Sequence, residues 1–236
     1  MRQHRPLRPL RNSLFCAGAD VRKTSVALIG SFVTSKEITR MDQHEGIRSA
    51  VLASPLLRPI IDGWDNVALP DCWLVAGAIA QTVWNRTFDL PTTHGISDID
   101  IVYFDSDDLT ENGEARQAAR IRAAFSHLPV WIDVKNEARV HMWYEAKFGY
   151  QITPYTSTAE AITTFPTTAT AIGLKPIGGS LLLNAPFGTD DLMNGVVRAN
   201  KKQITREIYD AKTTRWIAIW PDLYVVPWRD EGAQKS

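Results

Sequence analysis

The stretch from Ser97 to Phe104 (SDIDIVYF) constrains the fold of this chain more than any other feature. Its apolar and β-branched residues predict a β-strand, in which successive side chains point to opposite faces. Asp98 and Asp100 therefore share one face, and Ile99 and Ile101 share the other. Two carboxylates held close together repel each other unless a cation or a shared proton lies between them. Because such oxygen donors suit a hard divalent ion such as Mg²⁺, the strand predicts a metal site.

Two further segments contain features that belong with this pair. Residues 130–135 (VWIDVK) predict a second strand, with Asp133 in an apolar frame where aspartate is rarely found without a partner. Upstream, residues 72–76 predict a short buried strand that ends at Gly77, and residues 78–84 predict a helix. A glycine at this junction lets the backbone approach a ligand closely. The N–H groups that open the helix would bind phosphate.

A glycine turn and three strand carboxylates are the parts that two-metal phosphoryl transfer requires. Two ions about 3.5–4 Å apart activate the attacking oxygen and stabilise the leaving one. We predict that Asp98 and Asp100 bridge both ions and that Asp133 holds the ion activating the attacking hydroxyl. The turn at Gly77 would receive the triphosphate.

Three of these segments resemble a known signature. Gly77-Ala78, Asp98-Ile99-Asp100 and Ile132-Asp133-Val134 resemble the three-part motif of the polymerase-beta-like nucleotidyltransferase superfamily. AGAIAQTVWN, GISDIDIVYFD, NEARVHMWYE and APFGTDDL are similar to segments of a small, mostly bacterial nucleotidyltransferase-like family with no assigned substrate. The similarity runs from about residue 70 to residue 228.

The resemblance implies an α/β (α+β) fold, with a mixed β-sheet flanked by helices. It also implies two Mg²⁺ ions and transfer of a nucleoside monophosphate from an NTP donor. It identifies no acceptor, which leaves a small molecule, RNA or protein.

The resemblance further implies that Gly77, Ala78 and Ser97 bind the nucleotide. The superfamily usually has Ser or Gly after the glycine, whereas this chain has Ala78, which offers no hydroxyl to a triphosphate. Gln81 or Thr82, one helical turn further on, would have to compensate.

Other interpretations remain open at several positions. Arg139 and His141 would share a face if their segment were a strand, and would then contact phosphate or the acceptor; a structural salt bridge and a satisfied histidine fit the sequence equally well.

A second hypothesis for the function is a non-catalytic nucleotide-binding or regulatory module. Ala78 supports it, and the presence of Asp133 opposes it. A haloacid-dehalogenase-like phosphatase is excluded because its first aspartate follows an apolar strand, whereas here the apolar run at 101–104 comes after the acids.

The length and composition of the chain predict its domain organisation, its partners and its location. With 236 residues, 44% hydrophobic and 22% charged, the chain predicts one domain over residues 41–236, with its core at about 66–186. The 26 basic and 26 acidic residues give no strong signature of nucleic-acid binding. Two cysteines without paired spacing predict a reducing, cytoplasmic location, and no apolar run has membrane-spanning length.

Residues 1–40 differ from the rest, with eight Lys or Arg and two acidic residues. They are predicted to be a basic extension outside the domain. Three origins fit: a disordered arm, an organelle transit segment, or sequence translated ahead of a true start at Met41.

The remaining elements are predicted from periodicity and caps. They are a helical pattern over residues 43–61, a helix capped by Thr110, a hairpin within residues 168–184 and a last helix over residues 204–220.

Overall fold

A five-stranded mixed sheet forms the centre of the molecule; the computed structural model describes residues 34–229. The strand order is β3-β2-β1-β4-β5, in which only the β2–β3 pair is parallel. The strands are β1 (Trp73–Val75), β2 (Asp98–Tyr103), β3 (Trp131–Asn136), β4 (Gly173–Ile177) and β5 (Ser180–Asn184). A second, two-stranded parallel sheet pairs β6 (Val196–Val197) with β7 (Tyr224–Val225). The sequence did not predict this pair, because two residues are too few to show a period.

Helices flank the central sheet, as predicted. They are α1 (Ser35–Ala53), α2 (Arg58–Asp62), α3 (Gly77–Thr87), α4 (Glu111–Ala124), α5 (Val140–Phe148), α6 (Thr158–Ile162), α7 (Asp190–Met193) and α8 (Arg206–Ile219). Thr110 caps α4, as expected, by accepting a hydrogen bond from the backbone N–H of Gly113 at 3.0 Å. The β4–β5 hairpin is also present, but β4 begins at Gly173, five residues later than the predicted strand.

The first helix begins earlier than the sequence interpretation placed it. Thr34 and Glu37 form a capping box, and α1 starts at Ser35, six residues before Met41. The predicted domain boundary between residues 40 and 41 therefore falls inside a helix. The Thr-x-x-Glu spacing was a readable signal for this start. Residues 1–33 lie outside the described residues, and the interpretation of them stays a prediction.

The two faces of the sheet bury different clusters. Ile99, Ile101 and Leu74 point to one face and belong to the main core, together with residues of α1, α3, α4 and α8. The opposite face buries Val75 and Val102 against Ile162 of α6. Because side chains alternate along a strand, Asp98, Asp100 and Asp133 lie on this second face.

A buried polar node fixes the loop that leads into β2. The amide of Asn85, a fully buried residue of α3, donates to the carbonyl of His94 at 2.9 Å and accepts from Trp220 Nε1 at 2.7 Å. Gly95 has φ +68°, and a Cβ there would lie 2.5 Å from Ile219 Cγ2. Only glycine fits this conformation and this contact, so the loop reaches Asp98 along one defined path.

Candidate active site

The register of the sheet places three aspartates on one face of two neighbouring strands. Asp100 of β2 pairs with Asp133 of β3 in the parallel ladder, and on its other side Asp100 pairs with Val75 of β1. Asp98 lies two residues earlier on β2, so its side chain points the same way. Neighbouring strands are about 4.8 Å apart, so the three carboxyl groups project from adjacent backbone positions.

The electrostatics of Asp100 reflect this crowding. The pKa of its carboxyl is raised to about 7, chiefly by burial and then by the nearby carboxylates of Asp98 and Asp133, while Lys212 and Lys135 oppose the rise. The three carboxyl groups therefore concentrate negative charge around Asp100. A bound cation would favour the ionised form of Asp100.

The outer two carboxylates have different partners. Asp98 is exposed, and its Oδ1 accepts a hydrogen bond from Ser97 Oγ at 2.6 Å. Asp133 Oδ1 lies 3.6 Å from an Arg122 nitrogen and 3.5 Å from Lys135 Nζ. Arg122 reaches this position by crossing the indole ring of Trp131, 3.9 Å from the ring centroid.

These side-chain positions bear directly on metal binding. Across residues 34–229, no group of three or more His, Cys, Asp or Glu side chains is close enough to hold an ion. The donor set nevertheless suits Mg²⁺, which prefers carboxylate oxygens. Asp133 would have to leave Arg122 and Lys135. All three side chains are 30–44% exposed, and such ion pairs are worth about 1 kcal/mol or less. The reorientation is therefore inexpensive, and the residues fit a divalent cation.

The turn between β1 and α3 presents an open helix start beside Asp98. Ala76 has φ 58° and ψ −125°, a strained conformation for a residue with a Cβ. Ala76 gives α3 no side-chain cap, so the first N–H groups of the helix lack that acceptor. A Cβ added to Gly77 would meet only Gln81 Nε2, at 3.4 Å.

Ala78 and the residues expected to compensate for it lie in different environments. The side chain of Ala78 is buried in the main core and offers no polar group to a ligand. The hydroxyl of Thr82 donates to the carbonyl of Ala78 at 2.7 Å, so it is already used within the helix. Gln81 lies beside Gly77, and its buried Oε1 has no hydrogen-bond partner among the described residues. Of the two, Gln81 is better placed for the triphosphate.

Arg139 and His141 do not lie on a strand, so the condition for their shared face is not met. Arg139 ends a 3-10 turn (Glu137–Arg139), is buried, pairs with Glu114 Oε1 at 3.0 Å and donates to the carbonyl of Leu109 at 2.8 Å. Because the guanidinium already has these partners, the structure favours the interpretation of Arg139 as a structural salt bridge over a contact with phosphate or the acceptor. His141 is half-buried in α5, and its Nδ1 is buried without a hydrogen-bond partner in the described part of the chain.

Lys212 is a residue of the site that sequence reasoning missed. It comes from α8, where burial and, less strongly, Arg215 lower the pKa of its ammonium group, and Asp100 and Asp98 act in the opposite direction. No motif or spacing marks it, because packing of α8 over the sheet brings it to the aspartates.

A mixed sheet with three aspartates on one face, beside a glycine turn that opens a helix, defines the nucleotidyltransferase class of folds. The sequence model of a nucleotidyltransferase family matches residues 63–225, and the chain belongs to this family. The resemblance and the fold class expected from the sequence are thus confirmed.

A solved structure supports the same assignment. It is an NMR structure described as revealing a CCA-adding enzyme head domain, and it superposes with a TM-score of 0.64 at 25% sequence identity. The similarity covers 77% of this chain and 95% of that one. No curated protein matches the sequence.

Family membership and this fold support an enzymatic role in nucleotidyl transfer. Among residues 34–229, no helix is long and apolar enough to cross a membrane.

Proposed function

We propose that this protein transfers a nucleoside monophosphate from an NTP to a hydroxyl or phosphate acceptor in a magnesium-dependent reaction. The observation that carries the proposal is the pairing of Asp100 with Asp133 across β2 and β3, with Asp98 on the same face. Three carboxylates from two adjacent strands form the donor set that two-metal phosphoryl transfer uses.

The residues take distinct roles. Asp98, Asp100 and Asp133 would hold two Mg²⁺ ions, which when bound neutralise the phosphates and lower the pKa of the attacking hydroxyl. The open start of α3 at Gly77 and Ala78 binds the triphosphate through backbone N–H groups. Gln81 Nε2 replaces the hydroxyl that Ala78 lacks, and Ser97 orients Asp98 through its 2.6 Å hydrogen bond. Cys72, buried and free, fits the reducing environment of the cytoplasm.

The test is pyrophosphate release from each NTP with Mg²⁺, in the presence of a small-molecule extract, RNA or protein. Asp98→Asn and Asp133→Asn should lower the rate by on the order of a hundredfold or more, because a catalytic metal contributes several kcal/mol. Asp65→Asn, which changes another exposed carboxylate, is the control and should match the wild type. Equal rates in the Asp98 and Asp133 variants would refute the assigned roles.

The second candidate is a module that binds nucleotide without turning it over. Two observations favour it: Ala78 contributes no hydroxyl, and Asp133 lies against Arg122 and Lys135. Such a module would bind MgATP in calorimetry with every acceptor fraction inert, and Asp133→Asn would leave its affinity unchanged. The transferase predicts turnover with one fraction and its loss in Asp133→Asn.

A further inference from the structure

A cavity of about 480 Å³ is lined in part by Asp133. Its walls come from β3, α5 and α8, from Glu137 and Tyr155, and from residues 164–166 and 203–204. A volume of this size suits a ligand of metabolite dimensions. Asp133 forms part of the lining, so a ligand in the cavity would reach the carboxylate assigned to the attacking hydroxyl.

One wall of the cavity is aromatic and held in place. Trp143 and Tyr144 stack at 6.1 Å between ring centroids with an interplanar angle of 29°, and Tyr144 contacts Phe148 at 4.5 Å. The Tyr144 hydroxyl is fixed by Tyr150 Oη at 3.1 Å and the carbonyl of Gln203 at 3.2 Å. Trp143 stays half-exposed at the cavity. Such a wall favours a planar ring stacked against it.

The cavity also contains positive charge that no carboxylate neutralises directly. Lys147 Nζ lies 5.4 Å from the ring centroid of Trp143 and 5.3 Å from that of Phe148. Lys212 Nζ lies 5.5 Å from the ring centroid of Trp216. Neither lysine forms a salt bridge within 4.0 Å with any described residue, whereas Lys135 pairs with Asp133. Two ammonium groups beside an aromatic wall suit an anionic ligand.

We infer that this cavity is the acceptor pocket of the proposed transferase and that it takes a small, anionic, ring-bearing molecule. The acceptor role rests on the proposed function, whereas the class of ligand rests on the cavity alone. A long RNA fits less well, because the chain carries 26 Lys and Arg against 26 Asp and Glu and has no net charge. Binding of a polyphosphate chain generally requires a basic surface.

The ligand class is tested by binding of the fluorescent probe 1-anilinonaphthalene-8-sulfonate, an aromatic anion, to the full-length protein. Saturable binding should weaken about tenfold in Lys212→Gln and Lys147→Gln, and about three- to tenfold in Trp143→Leu. Lys147 is exposed, so its variant keeps the test valid if Trp143→Leu fails to fold. Lys36→Gln, on the exposed side of α1, is the matched control and should bind as the wild type does.

Two kinds of binding result would overturn the inference. One is an affinity unchanged in all three cavity variants, or no saturable binding. The other is competitive displacement of the probe by MgATP, because that would make the cavity the nucleoside site of the donor.

The acceptor role is tested with labelled NTP and the separated small-molecule, RNA and protein fractions. Label should appear in a small-molecule product, and Lys147→Gln should raise KM for that fraction while leaving KM for the NTP unchanged. Label in RNA or protein would contradict the inference. If no fraction accepts label, the transferase proposal fails and the acceptor role with it, while probe binding still decides the ligand class separately.

Discussion

Replacement of Asp100 by Asn should stabilise the folded protein while removing its activity. The pKa of Asp100 rises from 3.8 to about 7 in the folded state, first because of burial and then because of Asp98 and Asp133. A carboxyl with a raised folded-state pKa costs stability as the pH rises from its unfolded value towards its folded one. The cost is small near pH 4 and fully present above pH 7.

The magnitude follows from the size of the shift. One pKa unit corresponds to 1.36 kcal/mol, so the full cost at pH 8 is about 4 kcal/mol as an upper bound. About 2–3 kcal/mol of it should develop between pH 5 and pH 8. Asparagine keeps the shape of the side chain and removes the charge. The free energy of unfolding of Asp100→Asn, relative to the wild type, should therefore increase by that amount over this pH range.

The assay is urea unfolding at pH 5 and pH 8 with a chelator present, so that no divalent ion binds the folded state. The pKa of Glu137 is raised to about 8, mainly by burial. This residue titrates in both proteins, so its contribution to the pH dependence of stability largely cancels in the difference between them. Asp65→Asn is the control and should change the pH dependence by less than about 0.5 kcal/mol. If the free energies of unfolding of the wild type and Asp100→Asn differ by the same amount at pH 5 and pH 8, the claim that repulsion and burial raise the pKa of Asp100 is refuted.

Three further predictions concern the turn, the polar node and the first helix. Gly77→Ala should raise KM for the NTP on the order of tenfold without changing the unfolding midpoint, because the new Cβ meets only Gln81 Nε2, at an ordinary 3.4 Å; an unchanged KM would remove the turn from the nucleotide site. Asn85→Ala should lower the free energy of unfolding by about 3 kcal/mol, since it leaves Trp220 Nε1 without its acceptor; a loss below about 1 kcal/mol in urea unfolding would contradict this. Thr34→Ala should cost about 1 kcal/mol by removing the cap of α1, and unchanged stability would show that the helix start does not contribute.

Local sequence patterns were sufficient to predict the elements that carry the site. Alternation along β2 placed Asp98 and Asp100 on one face, and the turn at Gly77 and the cap at Thr110 could be read from neighbouring residues. These features depend on the backbone preferences of a few consecutive residues. The start of α1 could also have been read, because Thr34 and Glu37 have the spacing of a capping box.

The contacts of the site could not be read in the same way. Nothing local indicates that Arg139 pairs with Glu114 inside the protein, or that Asp133 lies against Arg122. Lys212 carries no signal at all, because its place near Asp100 depends on how α8 packs. These outcomes depend on which surfaces are buried together, and the whole chain decides that.

The sequence by itself determined which residues share a face, because the period of a strand is set by bond geometry alone. Only the tertiary structure decided that β2 and β3 run parallel, with Asp100 opposite Asp133, and that α5 and α8 enclose a cavity beside them. Strand order and register follow from the burial of apolar surface across distant segments. The alternation of the carboxylates is therefore encoded locally, and only folding brings Asp98, Asp100 and Asp133 onto one face of two adjacent strands.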